Sequence, residues 1–212
     1  MKSNIKAIIF DLGNVLIGFD HRIAVSKILR HTPKSTCEIY DLFFDSEWTR
    51  EFEKGKIMPL EFFQKVKSSL SLSLGYEEFL PIWNEIFFAK PESEKFVGSL
   101  DSGLKLLMLS NVNKLHYQYL RGTFSSAFNL FEPDKIIPSC ETGFIKPAKE
   151  IYDLALLRSG VAREDVIYVD DRQDLVEAAC SYGLKSIQFQ DVDKLRREFL
   201  SLGIFPGAKV NV

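Results

Sequence analysis

The residues Ile8 to Asp20, IIFDLGNVLIGFD, limit the fold most. A short apolar run ends in one carboxylate, Asp11, and a turn with Gly13 and Asn14 follows. A run too short for a helix, closed by a polar turn, reads as a buried strand. Similar runs recur at Leu104 to Leu109, Val166 to Val169 and Ser186 to Phe189, with a shorter one at Lys135 to Pro138. Helical spacing lies between the later ones. Ile151, Leu154, Ala155 and Arg158 follow it, with Arg158 as the polar exception, and so do Leu175, Ala178, Ala179 and Tyr182. Strands that alternate with helices predict βαβ units in a doubly wound parallel sheet, a Rossmann-like α/β core.

The stretch from about Asp20 to Lys90 breaks the alternation. Its sequence predicts helices near Ile23 to Arg30, Cys37 to Phe44, Leu60 to Leu70 and Tyr76 to Phe87, and no strand. Pro59 suits a helix start and Gly75 a break. The expected organisation is a core of residues 1–18 and 90–212, interrupted by a helical cap over 19–89. Trp48, Phe52, Phe62, Phe63, Trp83, Phe87 and Phe88 fall in this insertion and read as its core. The RRE run at Arg196 to Glu198 reads as a solvated helix face, His31 as a helix-end residue, and the tail after Pro206 as frayed.

With 212 residues, 46% hydrophobic and 26% charged, the chain can bury a sizeable core. A net charge of -2 gives no reason to expect nucleic acid or an anionic membrane as partner. Neither the N-terminal run nor any other is long enough for a signal peptide or a membrane span. The three scattered cysteines, Cys37, Cys140 and Cys180, form neither a disulfide framework nor a metal motif, and a reducing cytoplasm is the simplest expectation. The sequence does not reveal an oligomeric state.

Parallel sheets bind ligands at the C-terminal ends of their strands. Here those ends carry Asp11, then Ser110 and Asn111, then Asp170 and Asp171. Lys146 lies between them in FIKPAKE, where Pro147 favours an extended or turn conformation. Taken singly, each is ordinary: Asp11, Ser110 and Asn111 suit helix N-caps, Lys146 a solvated loop, Asp170 and Asp171 a turn. Together they are harder to dismiss. Carboxylates gathered on one rim repel and need a lysine or a cation, and an all-oxygen cluster suits Mg²⁺.

In order, FDLGNVL, LLMLSN, FIKPAKEIY and VIYVDD resemble the four motifs of the haloacid dehalogenase-like hydrolases, a resemblance that runs from about Ile8 to Gln188. The DLGNV form and the DD pair are most similar to the branch of bacterial sugar-1-phosphate phosphatases and the N-terminal phosphatase domain of soluble epoxide hydrolases. The resemblance implies a Mg²⁺-dependent phosphatase acting on a small phosphorylated metabolite, with Asp11 as nucleophile. It implies Mg²⁺ between Asp11, the Gly13 carbonyl and Asp171, with Asp170 behind Asp171. Ser110, Asn111, Lys146 and the Gly13–Asn14 turn would hold the phosphate.

The chain departs from the family pattern twice. Most such phosphatases have a second Asp, the general acid and base, where Gly13 stands. A further acid is common where Leu175 stands, and Asp174, one residue earlier, is the candidate substitute behind the metal ligands. Loss of the first acid favours anomeric, aryl or acyl phosphates over primary-alcohol esters. Asp20 and His21 are candidate replacements, and His116 reads as a surface histidine. Two other readings remain: a metal-independent 2-haloacid dehalogenase, and a weakly catalytic scaffold that binds phosphometabolites.

Overall fold

The computed structural model describes residues 4–207. Five strands, β1 (Ala7–Phe10), β4 (Lys105–Ser110), β5 (Ile136–Pro138), β6 (Val166–Asp170) and β7 (Lys185–Gln188), form one parallel sheet in the order β5-β4-β1-β6-β7. Two more, β2 (Ile17–Phe19) and β3 (Phe87–Ala89), pair antiparallel in a separate ribbon. The expected core strands are all present within a residue. The central strand β1 pairs Ile9 with Leu107 on one side and with Tyr168 on the other. Strand order reverses around β1, so the crevice opens at its carboxyl end.

Successive strand side chains face opposite ways, so each strand feeds two cores. Ile8, Phe10, Met108, Ile167 and Val169 pack with α6 (Pro91–Val97), α7 (Lys114–Thr123), α8 (Ser125–Phe128) and α11 (Val192–Ser201). Ala7, Ile9, Leu107, Leu109 and Val166 pack with α9 (Lys149–Ser159) and α10 (Gln173–Ser181). Both faces are covered, which explains why the strands read as solid apolar runs rather than alternating ones.

The insertion contributes α1 (His21–Ile28), α2 (Thr36–Tyr40), α3 (Glu47–Glu53), α4 (Pro59–Leu70) and α5 (Tyr76–Asn84). Its apolar residues cluster around Phe43, Phe52, Phe62, Phe79 and Trp83, joined by Leu115 of α7. The aromatic-core reading holds for Phe52, Phe62, Phe63 and Trp83, while Phe88 is exposed and Trp48 half-buried.

Three expectations for the insertion need correction. It does contain a strand: β3 pairs Phe87 with Phe19 and Ala89 with Ile17 across its base. Three residues cannot display a period of two, and Phe87 had read as the end of a helix that stops at Asn84. The helix expected over Cys37 to Phe44 ends at Tyr40 and continues as a π-turn, Asp41–Asp45. The helix α3 was not anticipated; Ser46 caps it by accepting from the Thr49 amide.

His31 does end a helical segment, and Arg196 and Arg197 of α11 are exposed as expected. The tail after Pro206 lies, apart from Gly207, outside the described residues. No helix among the described residues is long and apolar enough to cross a membrane.

Candidate active site

Asp11 follows β1 directly, and its amide still donates to Val169 O at 2.8 Å, so the ladder fixes its direction. Asp170 is the last residue of β6 and Asp171 the first beyond it. Strand alternation therefore stops between them, and both can turn to one place. Carboxylate oxygens of Asp11, Asp170 and Asp171 lie within 4.8 Å of one another. The rule that only one of two adjacent strand residues faces a site does not separate this pair.

Lys146 fills the middle of the cluster. Its Nζ donates to Asp11 Oδ1 at 2.6 Å, Asp170 Oδ2 at 2.7 Å and Leu109 O at 3.2 Å. Its side chain is almost wholly buried, so the solvated-loop alternative is excluded. Asn111 holds the loop that carries it: the Asn111 amide accepts from Lys146 N at 2.8 Å and donates to Lys146 O at 3.0 Å. Asn111 thus positions the Lys146 loop, and it also lines the cavity. Ser110 is buried and lines the cavity. Neither Ser110 nor Asn111 caps α7; Asn113 does, by accepting from the His116 amide.

Asn14 was expected to contact substrate. Instead its Nδ2 donates to Asp171 Oδ2 at 3.1 Å, so it orients that carboxylate. Asp170 is tied down by Lys146, by the Tyr168 hydroxyl and by the Arg172 amide at 2.9 Å. Asp174 does not reach the cluster. It is exposed and paired with Arg172 at 2.6 Å, so the expectation that it backs the metal ligands is not met.

Electrostatics follow from three acids around one amine. Burial, together with Asp170 and Asp171, pushes Asp11 up to about 7 despite Lys146. Burial also raises Asp170, but Lys146 outweighs it and holds that carboxyl below its ordinary value. Asp171 is raised, chiefly by burial. One lysine leaves this cluster short of positive charge. A divalent cation among oxygen donors would supply it, so the residues present fit Mg²⁺.

The cluster forms the floor of a cavity of about 400 Å³. Core residues Gly13, Ser110 and Arg172 line it, and so do Asp45, Arg50 and Glu53 from the insertion. A Cβ added to Gly13 would lie 2.8 Å from Phe19 Cε1, so the Phe19 ring occupies space that a second acid would need.

The candidate replacements sit elsewhere or in the wrong state. Asp20 caps α1 and is clamped by Arg22 at 2.7 Å. His21 lines the cavity but stacks on Phe44 at 3.7 Å, and burial lowers it to about 4. His116 is not on the surface. It is buried between Asn113 and Trp83 O, held neutral with its pKa lowered to about 3, and it ties α7 to the insertion. Burial outweighed its neighbours' polar lettering in NVNKLHYQYL.

Sequence reasoning missed Glu53, Arg50, Asp45 and the Tyr168 hydroxyl. The three from the insertion stand in ordinary polar helix positions, and only the fold sets them on the cavity wall.

Residues 5–180 match the family model described as haloacid dehalogenase-like hydrolase. A D-ribitol-5-phosphate phosphatase from Bacteroides thetaiotaomicron is 25% identical, over 92% of this chain and 96% of that protein. The drimenol cyclase drtB of Aspergillus calidoustus is 26% identical over 93% of this chain, which spans only 36% of that protein. Among solved structures, a HAD family enzyme from Bacteroides thetaiotaomicron, in complex with magnesium and inorganic phosphate, superposes with a TM-score of 0.76. It is 20% identical, with coverage of 90% of this chain and 98% of that one. The four motifs, the parallel sheet, the strand-tip carboxylates and a family match over most of the chain agree: the protein belongs to the haloacid dehalogenase-like hydrolases.

Proposed function

We propose that the protein is a Mg²⁺-dependent phosphatase that hydrolyses a small phosphate monoester, sugar phosphates included, through an aspartyl-phosphate at Asp11. The observation that carries this reading is the Lys146 ammonium set between Asp11 and Asp170, with Asp171 in reach. A carboxylate nucleophile must meet a phosphate dianion, and the repulsion is relieved only by positive charge fixed beside it. Lys146 supplies that charge without becoming a nucleophile, because Asp11 and Asp170 raise its pKa against the effect of burial.

Asp11, the Gly13 carbonyl and Asp171 would hold Mg²⁺, with Asn14 orienting Asp171. The ion, when bound, neutralises charge on the phosphoryl oxygens. Ser110 and Lys146 hold the phosphate, and Asn111 positions Lys146 through its backbone. Residues 19–89 act as a cap over the core of 1–18 and 90–212, closing the crevice and excluding water from the transfer. Asp45 and Arg50 on the cavity wall give the cap polar groups for the hydroxyls of a sugar or polyol phosphate. The similarity to a D-ribitol-5-phosphate phosphatase supports the same substrate class.

The test is hydrolysis of p-nitrophenyl phosphate, with Mg²⁺ and with a chelator, by wild type and Asp11→Asn. Activity should require both the ion and the carboxylate. Turnover that survives either change contradicts the reading.

A further inference from the structure

Cleavage of an alkyl phosphate ester must give the departing alkoxide a proton, and no side chain stands at Gly13 to give it. Asp20 is clamped outside the cavity and His21 is neutral, so neither is placed to act.

Glu53 stands differently. The turn that carries it is docked onto the core at two points. Ser139, fully buried just after β5, donates from Oγ to Glu53 O at 2.7 Å and accepts from Val112 N at 2.9 Å. Val112 follows Ser110 and Asn111 directly, so one hydroxyl ties the cap turn to the phosphate-side loop. Two residues on, Gly55 has φ +74 and its backbone lies against Cys140, where an added Cβ would be 2.0 Å from Cys140 O. Only glycine allows that approach. These contacts set Glu53 on the wall of the cavity whose floor is Asp11, Asp170 and Asp171.

The charges that face it are Arg50 on its own helix and Lys146 and Arg172 on the core, all of which favour the ionised form. Burial outweighs them and lifts the carboxyl to about 7. Such a group carries a proton at neutral pH and releases it readily.

Resting on the phosphatase reading, we propose that Glu53 is the proton carrier of the reaction, replacing from the cap the acid that the core lacks. In the first half, an Asp11 carboxylate oxygen bonds to phosphorus as the ester P–O bond breaks. The electron pair on the leaving oxygen takes the Glu53 proton, and the alcohol departs. In the second half, a water oxygen bonds to phosphorus and its proton passes to the Glu53 carboxylate. The Asp11–phosphorus bond breaks with its electrons returning to Asp11. The sum is ester plus water to alcohol plus phosphate, with both carboxyl groups restored.

The experiment compares wild type and Glu53→Gln on two monoesters with Mg²⁺: benzyl phosphate, whose alkoxide needs a proton, and p-nitrophenyl phosphate, whose phenolate does not. The amide variant should lose about 10²–10⁴-fold in kcat/KM on benzyl phosphate. On p-nitrophenyl phosphate its kcat/KM, which reports only the first half, should stay within about tenfold, which also shows that it folds. The wild-type benzyl phosphate profile should fall above about pH 7, and the variant should lack that limb. Equal losses on the two esters, or no loss on either, overturn the proposal while leaving the phosphatase reading intact. A wild type inert to both esters removes that reading, and this inference with it.

Discussion

The sheet rim and the inserted helices meet at one cavity but are built by opposite means. The rim holds charge: Asp11, Asp170 and Asp171 sit at the ends of strands fixed by their backbone ladders, and Lys146 reaches them from a loop that Asn111 holds in place. The insertion holds rings: Phe43, Phe62, Phe79 and Trp83 pack edge-on and stacked, and the helices present a few polar groups to the rim. Rigid hydrogen-bonded strands suit a cluster that must keep like charges close. Non-directional aromatic packing suits a segment that takes over none of the sheet's hydrogen bonds. The contrast predicts that damage to the two regions should look different.

The largest effect should come from the rim. Lys146→Met leaves Asp11 and Asp170 buried without their cation. Removing one partner of a buried pair costs about 3–5 kcal/mol. Turnover should also fall by about 10²–10³-fold, as for loss of one fixed charge-stabilising group. Denaturant melts and p-nitrophenyl phosphate kinetics measure both; a stable and active variant would break the claim that this lysine organises the site.

Phe62→Ala should cost about 3–5 kcal/mol as well, but locally. Hydrogen exchange should show insertion amides opening while β1 and β6 stay protected. Equal loss of protection across the sheet would erase the distinction between the regions.

A smaller effect lies on the seam. His116 is neutral in the folded state, with a pKa lowered from 6.5 to about 3. The unfolded chain binds a proton there as pH drops below about 6.5 and the folded chain does not. The stability it supports is therefore complete above that pH and lost progressively toward pH 3. Each pH unit costs about 1.4 kcal/mol, so wild type should be about 2 kcal/mol weaker at pH 5 than at pH 6.5. His116→Gln should flatten that slope in urea titrations; an unchanged slope would assign it to other groups.

The smallest effect is at Asp20. Replacement by Ala removes an N-cap and should cost about 1 kcal/mol without slowing turnover. A tenfold or greater drop in rate would return Asp20 to the list of proton donors.

The rim was legible in the sequence because buried parallel strands announce themselves as apolar runs, and their ends must carry the polar residues that follow. That is why Asp11, Ser110, Asp170 and Asp171 could be gathered from the sequence, while Lys146, on a loop, came in through FIKPAKE. The roles of Asn14 and Asn111 were not legible, since an amide that orients a neighbour and one that binds a ligand have the same spelling. The β2–β3 ribbon escaped because it is two three-residue strands separated by nearly 70 positions. His116 and Glu53 escaped because the packing of α5 against α7 and of α3 against the Ser139 turn decides their surroundings.

Asp11 is the residue proposed to take the phosphoryl group. The direct measurement is an acid quench during turnover with Mg²⁺, followed by mass spectrometry of the peptides. A phosphoryl adduct should appear on the peptide that contains Asp11 and be missing from Asp11→Asn. Steady turnover with no adduct there, or with the adduct on another residue, would contradict it.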